Sequence, residues 1–300
     1  MGNTRGIGMD NMTAKVSCFA RAYHYKNNSI HIFTDDIAEK LLGEDYNQIA
    51  KRMSDGIDFF YPGFEGTREE GLRLILDRQL SPSVLGRSVF CESKLAYAIA
   101  NGCKQYLVFA AGYDTYALRN KDSATKVYEL DYPELLKDKA ERIKKANLKA
   151  SAVNVPCDLA DPEWKDELLT FGYEKGSKVF GSLLGISYYL EKRDFEQLLS
   201  GVSKIMESES AICFDYPSVD ESSETRKTQM LATAAGEQMK ARYSYEEMDM
   251  ILRKYGFELI EHLDAEKMTD RYFKKYNESN SGYQMRSPNG IGYVYAVKGN

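Results

Sequence analysis

The chain has 300 residues, 43% of them hydrophobic and 28% charged, which sets an expectation of about two domains, or one large α/β domain with additions. Forty basic residues against forty-five acidic ones give a net charge of −5, so there is no basic excess to release counterions from phosphate, and no nucleic-acid partner is expected. The longest apolar runs, such as Tyr106 to Ala111 and Leu183 to Leu190, fall far short of the ~18 residues of a membrane span, so no membrane partner is expected either.

Ala14, Val16, Phe19, Ala20 and Tyr23 recur at helical spacing, and residues 13–42 read as helical. A second helix is predicted to open within that stretch at Thr34 or Asp35 and to close near Gly43. Arg68 to Leu80 reads as an amphipathic helix stopped by Ser81-Pro82, and Ser88 to Ala100 as another ended by Asn101-Gly102. The pattern changes at Gln105. Residues 105–110 form a short apolar run bounded by glycines, the mark of a strand buried on both faces. Residues 126–130, 151–155, 179–184 and 211–215 repeat it, with helical stretches at 133–146, 162–171 and 193–206 between them. Such alternation predicts a parallel, doubly wound sheet. A polar helical segment, 220–255, precedes two further strands at 257–263 and 290–297, seven in all.

In a doubly wound sheet the ligand site lies at the carboxyl ends of the strands. The first strand runs into Ala110-Ala111-Gly112-Tyr113-Asp114-Thr115, where Gly112 permits a tight turn and close approach of a ligand. A full Gly-x-Gly-x-x-Gly is absent, so a purely structural turn fits as well. Nineteen residues on, the second strand ends in Glu129-Leu130-Asp131, near the separation at which an acid meets ribose hydroxyls. Glu129 and Asp131 fall on one side, and Asp131 is nearer the ligand end; its alternative role is N-cap of helix 133–146. Asp158, after the third strand, is placed to accept from an exocyclic amine or to cap a helix, the latter in competition with Asp161.

Phe109 to Arg119, Tyr128-Glu129-Leu130-Asp131-Tyr132-Pro133 and Asp158-Leu159 together resemble the leucine carboxyl methyltransferase family, including its bacterial polyketide O-methyltransferase branch. Thr13-Ala14, Ala20-Arg21-Ala22, Asp36-Ile37-Ala38, Arg87 and Gly185 to Leu190 extend the likeness, as do Gly236 to Lys240 and Tyr243 to Phe257, over residues 13–265. The resemblance implies a Rossmann-like class I methyltransferase with S-adenosylmethionine as cofactor. Its seven-stranded sheet would have an antiparallel last strand, a helical cap and lead-in helices over 1–104, a core over 105–300, and a helical lid at 217–243. It further implies that Arg87 holds the methionine carboxylate and that Ala110, Ala111 and Gly112 lie against the methionine portion. Asp131 would bind the ribose, and Asp158 with the Leu159 backbone would read the adenine. Apart from the resemblance, Arg87 also reads as a surface arginine at a helix start. Two positions depart from the family: Ala110 stands for a glycine, a change of one methyl group expected to be tolerated, and Leu184 replaces a glutamate on the cofactor side.

The expected reaction is methyl transfer to a carboxylate or hydroxyl oxygen of a small organic acceptor. The alternatives are transfer to a protein's C-terminal carboxylate, a non-catalytic adenosyl-binding protein, and an NAD-dependent oxidoreductase. The small-molecule choice follows the lid pattern around Gly236 to Lys240. A carboxylate ionises unaided near pH 7, whereas a phenol would gain from a base, and the three histidines, His24, His31 and His262, give no clear one. No catalytic residue is assigned. Tyr23, Tyr188, Tyr189 and Tyr216 are the candidate acceptor contacts, with Tyr25, Tyr113 and Tyr116 also at ligand-facing ends; the alternative is that tyrosines fill the seam between cap and sheet. Lys227, Lys240 and Arg242 are cations of the lid that would meet an anionic acceptor, or else line a solvated helix face. The five cysteines, never spaced Cys-x-x-Cys, read as buried thiols rather than a metal site, and no metal is expected. With no apolar leader in Met1 to Arg5, the expected location is the cytoplasm.

Overall fold

The computed structural model describes residues 10–120, 124–219 and 240–299. The predicted strands are β1 (Gln105–Phe109), β2 (Lys126–Asp131), β3 (Val153–Pro156), β4 (Val179–Leu183), β5 (Ala211–Pro217), β6 (Phe257–Leu263) and β7 (Ile291–Lys298). They form one sheet in the order β3-β2-β1-β4-β5-β7-β6. β1 to β5 pair in parallel, and β7 lies antiparallel between β5 and β6, as the resemblance implies. Every residue of β1, β4 and β5 is buried, which is what continuous apolar runs in a sheet covered on both faces require. The order reverses between β1 and β4, so their carboxyl ends frame the crevice where such folds bind ligands.

One face of the sheet is covered by α9 (Trp164–Thr170), α10 (Lys192–Ile205) and α11 (Tyr245–Lys254), whose Trp164, Phe195 and Met248 join Phe109, Phe214 and Tyr216 in one core. The other face packs on α6 (Ser81–Ala100) through Leu85, Phe90 and Leu95. A helical excursion at 265–279, between β6 and β7, adds Met268, Phe273 and Tyr276 to that second core. The cap comprises α1 (Asp10–Asn27), α2 (Ala38–Leu42), α3 (Glu44–Asp55), α4 (Ile57–Phe60) and α5 (Arg68–Ile75), with a core of its own around Phe19, Leu41, Ile49 and Leu76.

Several helices differ from expectation. The 13–42 stretch breaks into α1 and α2, and Asp35 accepts the Ile37 and Ala38 N–H groups ahead of α2. Ser81-Pro82 does not stop the chain: α5 runs through a π-helical turn, Leu76–Leu80, directly into α6. Pro82 sits in the first turn of α6, directly after this π-helical turn, whose last bond runs from the Ser81 N–H to the Leu76 carbonyl. Arg87 therefore lies inside this helix rather than at its start. Of the polar segment 220–255, α11 is helical, opened by a capping box between Ser244 and Glu247. Of the lid expected at 217–243, residues 220–239, including Lys227 and Gly236 to Met239, lie outside the described residues.

Where the cap meets the 265–279 excursion, two ionisable groups with opposite pH signatures are buried. His24 Nε2 accepts the Ile32 N–H at 2.9 Å, and burial, then His31 and Arg73, bring its pKa down to about 3. Burial pushes Asp77 up to about 6, although Arg73 Nε donates to it at 3.2 Å. Tyr23, Tyr276 and Asn28 complete the surroundings. Below about pH 6.5 the unfolded chain protonates His24 and the folded chain does not, so stability falls with pH by roughly 1.4 kcal/mol per unit. Asp77 acts in reverse: folded, it keeps its proton up to about pH 6, so its contribution falls as pH rises from about 4 to 6. Relative to the parent chain, His24→Gln should therefore gain stability as pH is lowered from 6 to 4, and Asp77→Asn should lose it. Urea denaturation across about pH 4–6 measures both slopes, and variants that keep the parent's slope would exclude these two groups as its source.

Candidate active site

The turn after β1 is built on two left-handed residues, Ala110 and Gly112, both at φ +51°. Gly112 has no room to spare: a Cβ there would stand 3.2 Å from the Ala14 methyl group of α1. Its N–H donates to Asp131 Oδ2 at 2.7 Å, while Asp131 Oδ1 accepts the Tyr132 N–H at 2.8 Å. Asp131 is thus buried and fixes the turn; helix α8 (Pro133–Lys145) opens at Tyr132 without a side-chain cap, so Asp131 is not its N-cap. At Ala110 the cost is not one methyl group but its handedness, ~1–2 kcal/mol for an L-residue in this region. Ala110→Gly is expected to raise stability by up to about 1 kcal/mol after the added freedom of the unfolded chain is subtracted, a gain readable by thermal or urea melting.

Arg87 projects from the second turn of α6 to the end of β4. Its Nη2 donates to Ser17 Oγ of α1 at 3.1 Å, and its Nη1 lies 3.7 Å from Asp215 Oδ2, at the end of β5. The guanidinium rests on Gly185, at φ +69°, where a Cβ would come within 2.8 Å of Nη1 and 3.0 Å of Cζ. Gly185 in turn donates its N–H to Asp215 Oδ1 at 2.7 Å, and the Tyr188 hydroxyl donates to Asp215 Oδ2 at 2.9 Å. Burial and the adjacent Asp215 push the Tyr188 phenol well above its ordinary pKa, so it stays a neutral donor.

Asp158 is exposed after β3; its Oδ1 accepts from the Ala160 N–H at 2.9 Å and the Tyr132 hydroxyl at 3.3 Å, and Leu159 packs on the larger core. Tyr132 is 47% exposed beside it, an aromatic face between the ends of β2 and β3. Leu184 lines a narrow cleft with Arg21, Glu92, Asp114 and Arg119. Both arginines there are already paired. Arg21 donates to Asp35 Oδ2 at 2.8 Å and to the Tyr113 carbonyl at 2.7 Å, and Arg119 forks onto Glu92 and reaches Thr115 Oγ1 at 3.0 Å. Thr115 also donates to Asp35 at 2.7 Å, so one buried network ties α1 and α2 to the glycine turn and α6. Leucine at 184 therefore leaves neither cation without an anion.

The tyrosines divide. Tyr188 meets Asp215, and Tyr189 is half-buried with its ring 6.4 Å from that of Tyr188. Tyr216 is not brought to this group: it is fully buried on the opposite face of β5 from Asp215, its hydroxyl 3.0 Å from His262 Nε2. Tyr23 is packed into the cap core beside Phe19, where burial pushes its pKa up to about 12. Tyr113 is a structural tie, its carbonyl on Arg21 and its hydroxyl donating to Asp138; Tyr116 meets Tyr106 edge-on, and Tyr25 stacks face to face on His31. Ser17 and Asp215 were not singled out from sequence. Asp215 carries the same signal as Asp131, an acid at the carboxyl end of a buried strand; Ser17 carries none. Among the described residues no group of His, Cys, Asp and Glu is placed to hold a metal, and no helix is long and apolar enough to cross a membrane.

The sequence model of the leucine carboxyl methyltransferase family matches residues 14–203. YktD of Bacillus subtilis strain 168, which carries the name of an S-adenosyl-L-methionine-dependent methyltransferase, is 33% identical over 96% of this chain and 97% of its own. A similarly named protein of Mycolicibacterium paratuberculosis is 24% identical over 70% of each chain. Among solved structures, a DUF574 family protein of Streptomyces avermitilis superposes with a TM-score of 0.58 over 97% of this chain and 99% of its own, at 12% identity. A protein of Thermobifida fusca described as a methyltransferase does so at 0.55 over the whole of both chains, also at 12% identity. At that identity the two structures establish the fold alone.

Proposed function

Because this chain belongs to the leucine carboxyl methyltransferase family and is an S-adenosylmethionine-dependent methyltransferase, we propose that it methylates an oxygen of a small organic acceptor, a carboxylate in the first instance. When bound, the cofactor supplies an electrophilic methyl group on a sulfonium. The donor set fits it: a preset guanidinium for a carboxylate, a buried acid for hydroxyls, and a turn of small residues at the end of β1. In this reading Arg87 holds the methionine carboxylate, the Ala110-Ala111-Gly112 turn lies along the methionine, and Asp131 takes the ribose. Asp158 and the Leu159 backbone take the adenine, with Tyr132 as its wall. The observation that carries the reading is that the Gly112–Asp131 contact and the Arg87–Gly185 contact stand at the carboxyl ends of the neighbouring strands β1 and β4, where the strand order reverses.

The preference for a carboxylate rests on the histidines. Each ring is engaged elsewhere: His24 on Ile32, His31 on the Tyr25 carbonyl and His262 on Tyr216. An acceptor that is already ionised needs positioning and desolvation rather than a base. Tyr188 and Tyr189, beside the Gly185 turn, are the described side chains we place at the acceptor. A reducing cytoplasm is the compartment we infer, since all five cysteines are buried free thiols. The test is a panel of small carboxylic acids and phenols incubated with methyl-labelled cofactor. A labelled, alkali-labile ester is expected. An alkali-stable ether would exclude the carboxylate, label on an intact protein alone would exclude the small-molecule reading, and binding without any label would favour a non-catalytic role.

A further inference from the structure

β5 ends in a carboxylate that neither cofactor nor acceptor assignment uses. The Asp215 side chain is fully buried and faces α6, whereas its neighbours Phe214 and Tyr216 pack toward α10. Gly185 N–H, the Tyr188 hydroxyl and Arg87 converge on its two oxygens, and Ser187 Oγ donates to its main-chain carbonyl at 2.7 Å. Among the described residues it is the one carboxylate within ion-pair distance of Arg87. At 3.7 Å the contact is too long for a hydrogen bond, so Asp215 attracts the guanidinium by charge without consuming an Nη1 N–H.

We propose that Asp215 is a positioning residue for recognition of the cofactor's amino-acid end, acting through Arg87 and the Gly185 turn. The proposal rests on the assignment of Arg87 to the methionine carboxylate. Arginine has a long flexible stem, and a free one loses rotamer freedom when it grips a ligand. Here that freedom is already spent: Ser17 holds Nη2, Asp215 attracts Nη1, and the guanidinium plane is pressed on Gly185. Through its bond to the Gly185 N–H, Asp215 also sets the glycine on which the plane rests. With leucine at 184, no carboxylate from the end of β4 shares this task.

Calorimetry with two ligands isolates the effect: S-adenosylhomocysteine, and 5′-methylthioadenosine, which has the same nucleoside thioether but no amino-acid end. Asp215→Asn keeps an acceptor for Gly185 and removes the charge. It should weaken S-adenosylhomocysteine about tenfold and 5′-methylthioadenosine less than about twofold, with a melting curve recorded alongside. A merely structural role would move both ligands together; that result, or an unchanged affinity for S-adenosylhomocysteine, overturns the proposal. Should Asp215→Asn fail to fold, the comparison passes to Arg87→Ala against Arg87→Ala/Asp215→Asn, a pair that leaves no buried charge unmatched in the double variant. Equal affinities for S-adenosylhomocysteine support action through Arg87, and a further loss in the double variant overturns it. A parent protein that binds both ligands equally well overturns the assignment of Arg87 first, and the role of Asp215 with it.

Discussion

Replacing Lys139 by methionine is expected to cost about 3–5 kcal/mol of stability, the cost of breaking a buried ion pair from one side. Lys139 of α8 donates to Glu129 Oε2 of β2 at 2.6 Å, and both residues are only 2% exposed. Burial pushes the Glu129 carboxyl above its ordinary range, Asp114 and Asp131 add to that, and Lys139 opposes it. Without the ammonium, a carboxylate would be left dry beside Asp131. Urea denaturation at pH 7 measures the loss, which should shrink as pH falls, because a protonated Glu129 needs no counter-ion. Adding Glu129→Gln should restore most of the stability, since a neutral pair of similar volume often replaces a buried ion pair without penalty. A single-variant loss below about 1 kcal/mol would mean that water reaches the pair.

That pair also shows where sequence reasoning stops. Alternation puts Glu129 and Asp131 on one side of β2, and the nearer of the two to the strand's carboxyl end was expected to serve the ligand. Which acid would be neutralised depends on α8 delivering Lys139 ten residues on, a matter of packing rather than of spacing. β1, β4 and β5 were legible because burial on both faces demands continuous apolar runs, whereas β3 and β6, at the two edges of the sheet, are only partly buried and carry polar residues among the apolar ones. Ser81-Pro82 misled because a π-helical turn, Leu76–Leu80, stands immediately before the proline and carries the helical run past it without a break. Tyrosine number was a poor guide to tyrosine role: Tyr188, in the short 3-10 turn Ser187–Tyr189 beyond β4, meets Asp215, while alternation along β5 turns Tyr216 away from Asp215 to His262. Arg87 was found by resemblance alone. Its partner Ser17 lies seventy residues away, beyond the reach of any local pattern.

Arg87→Ala is expected to lower affinity for S-adenosylmethionine and S-adenosylhomocysteine by roughly 10- to 150-fold, the equivalent of about 1.5–3 kcal/mol for a lost charge-assisted contact. The nucleoside half of either ligand should bind as before, because the groups proposed for it, Asp131 at the end of β2 and Asp158 after β3, stand apart from α6. Stability should fall as well, since Asp215 would stay buried with only the Gly185 N–H and the Tyr188 hydroxyl facing it. The two losses have different origins and can be separated. Pairing Arg87→Ala with Asp215→Asn removes the unmatched charge, so the melting temperature should recover while the affinity does not. Arg87→Lys should rescue neither fully: an ammonium is a point charge, whereas this site holds a flat group between Ser17 and Asp215 over the Gly185 backbone. If the double variant regains affinity together with stability, Arg87 serves the fold and the cofactor carboxylate is held by another group.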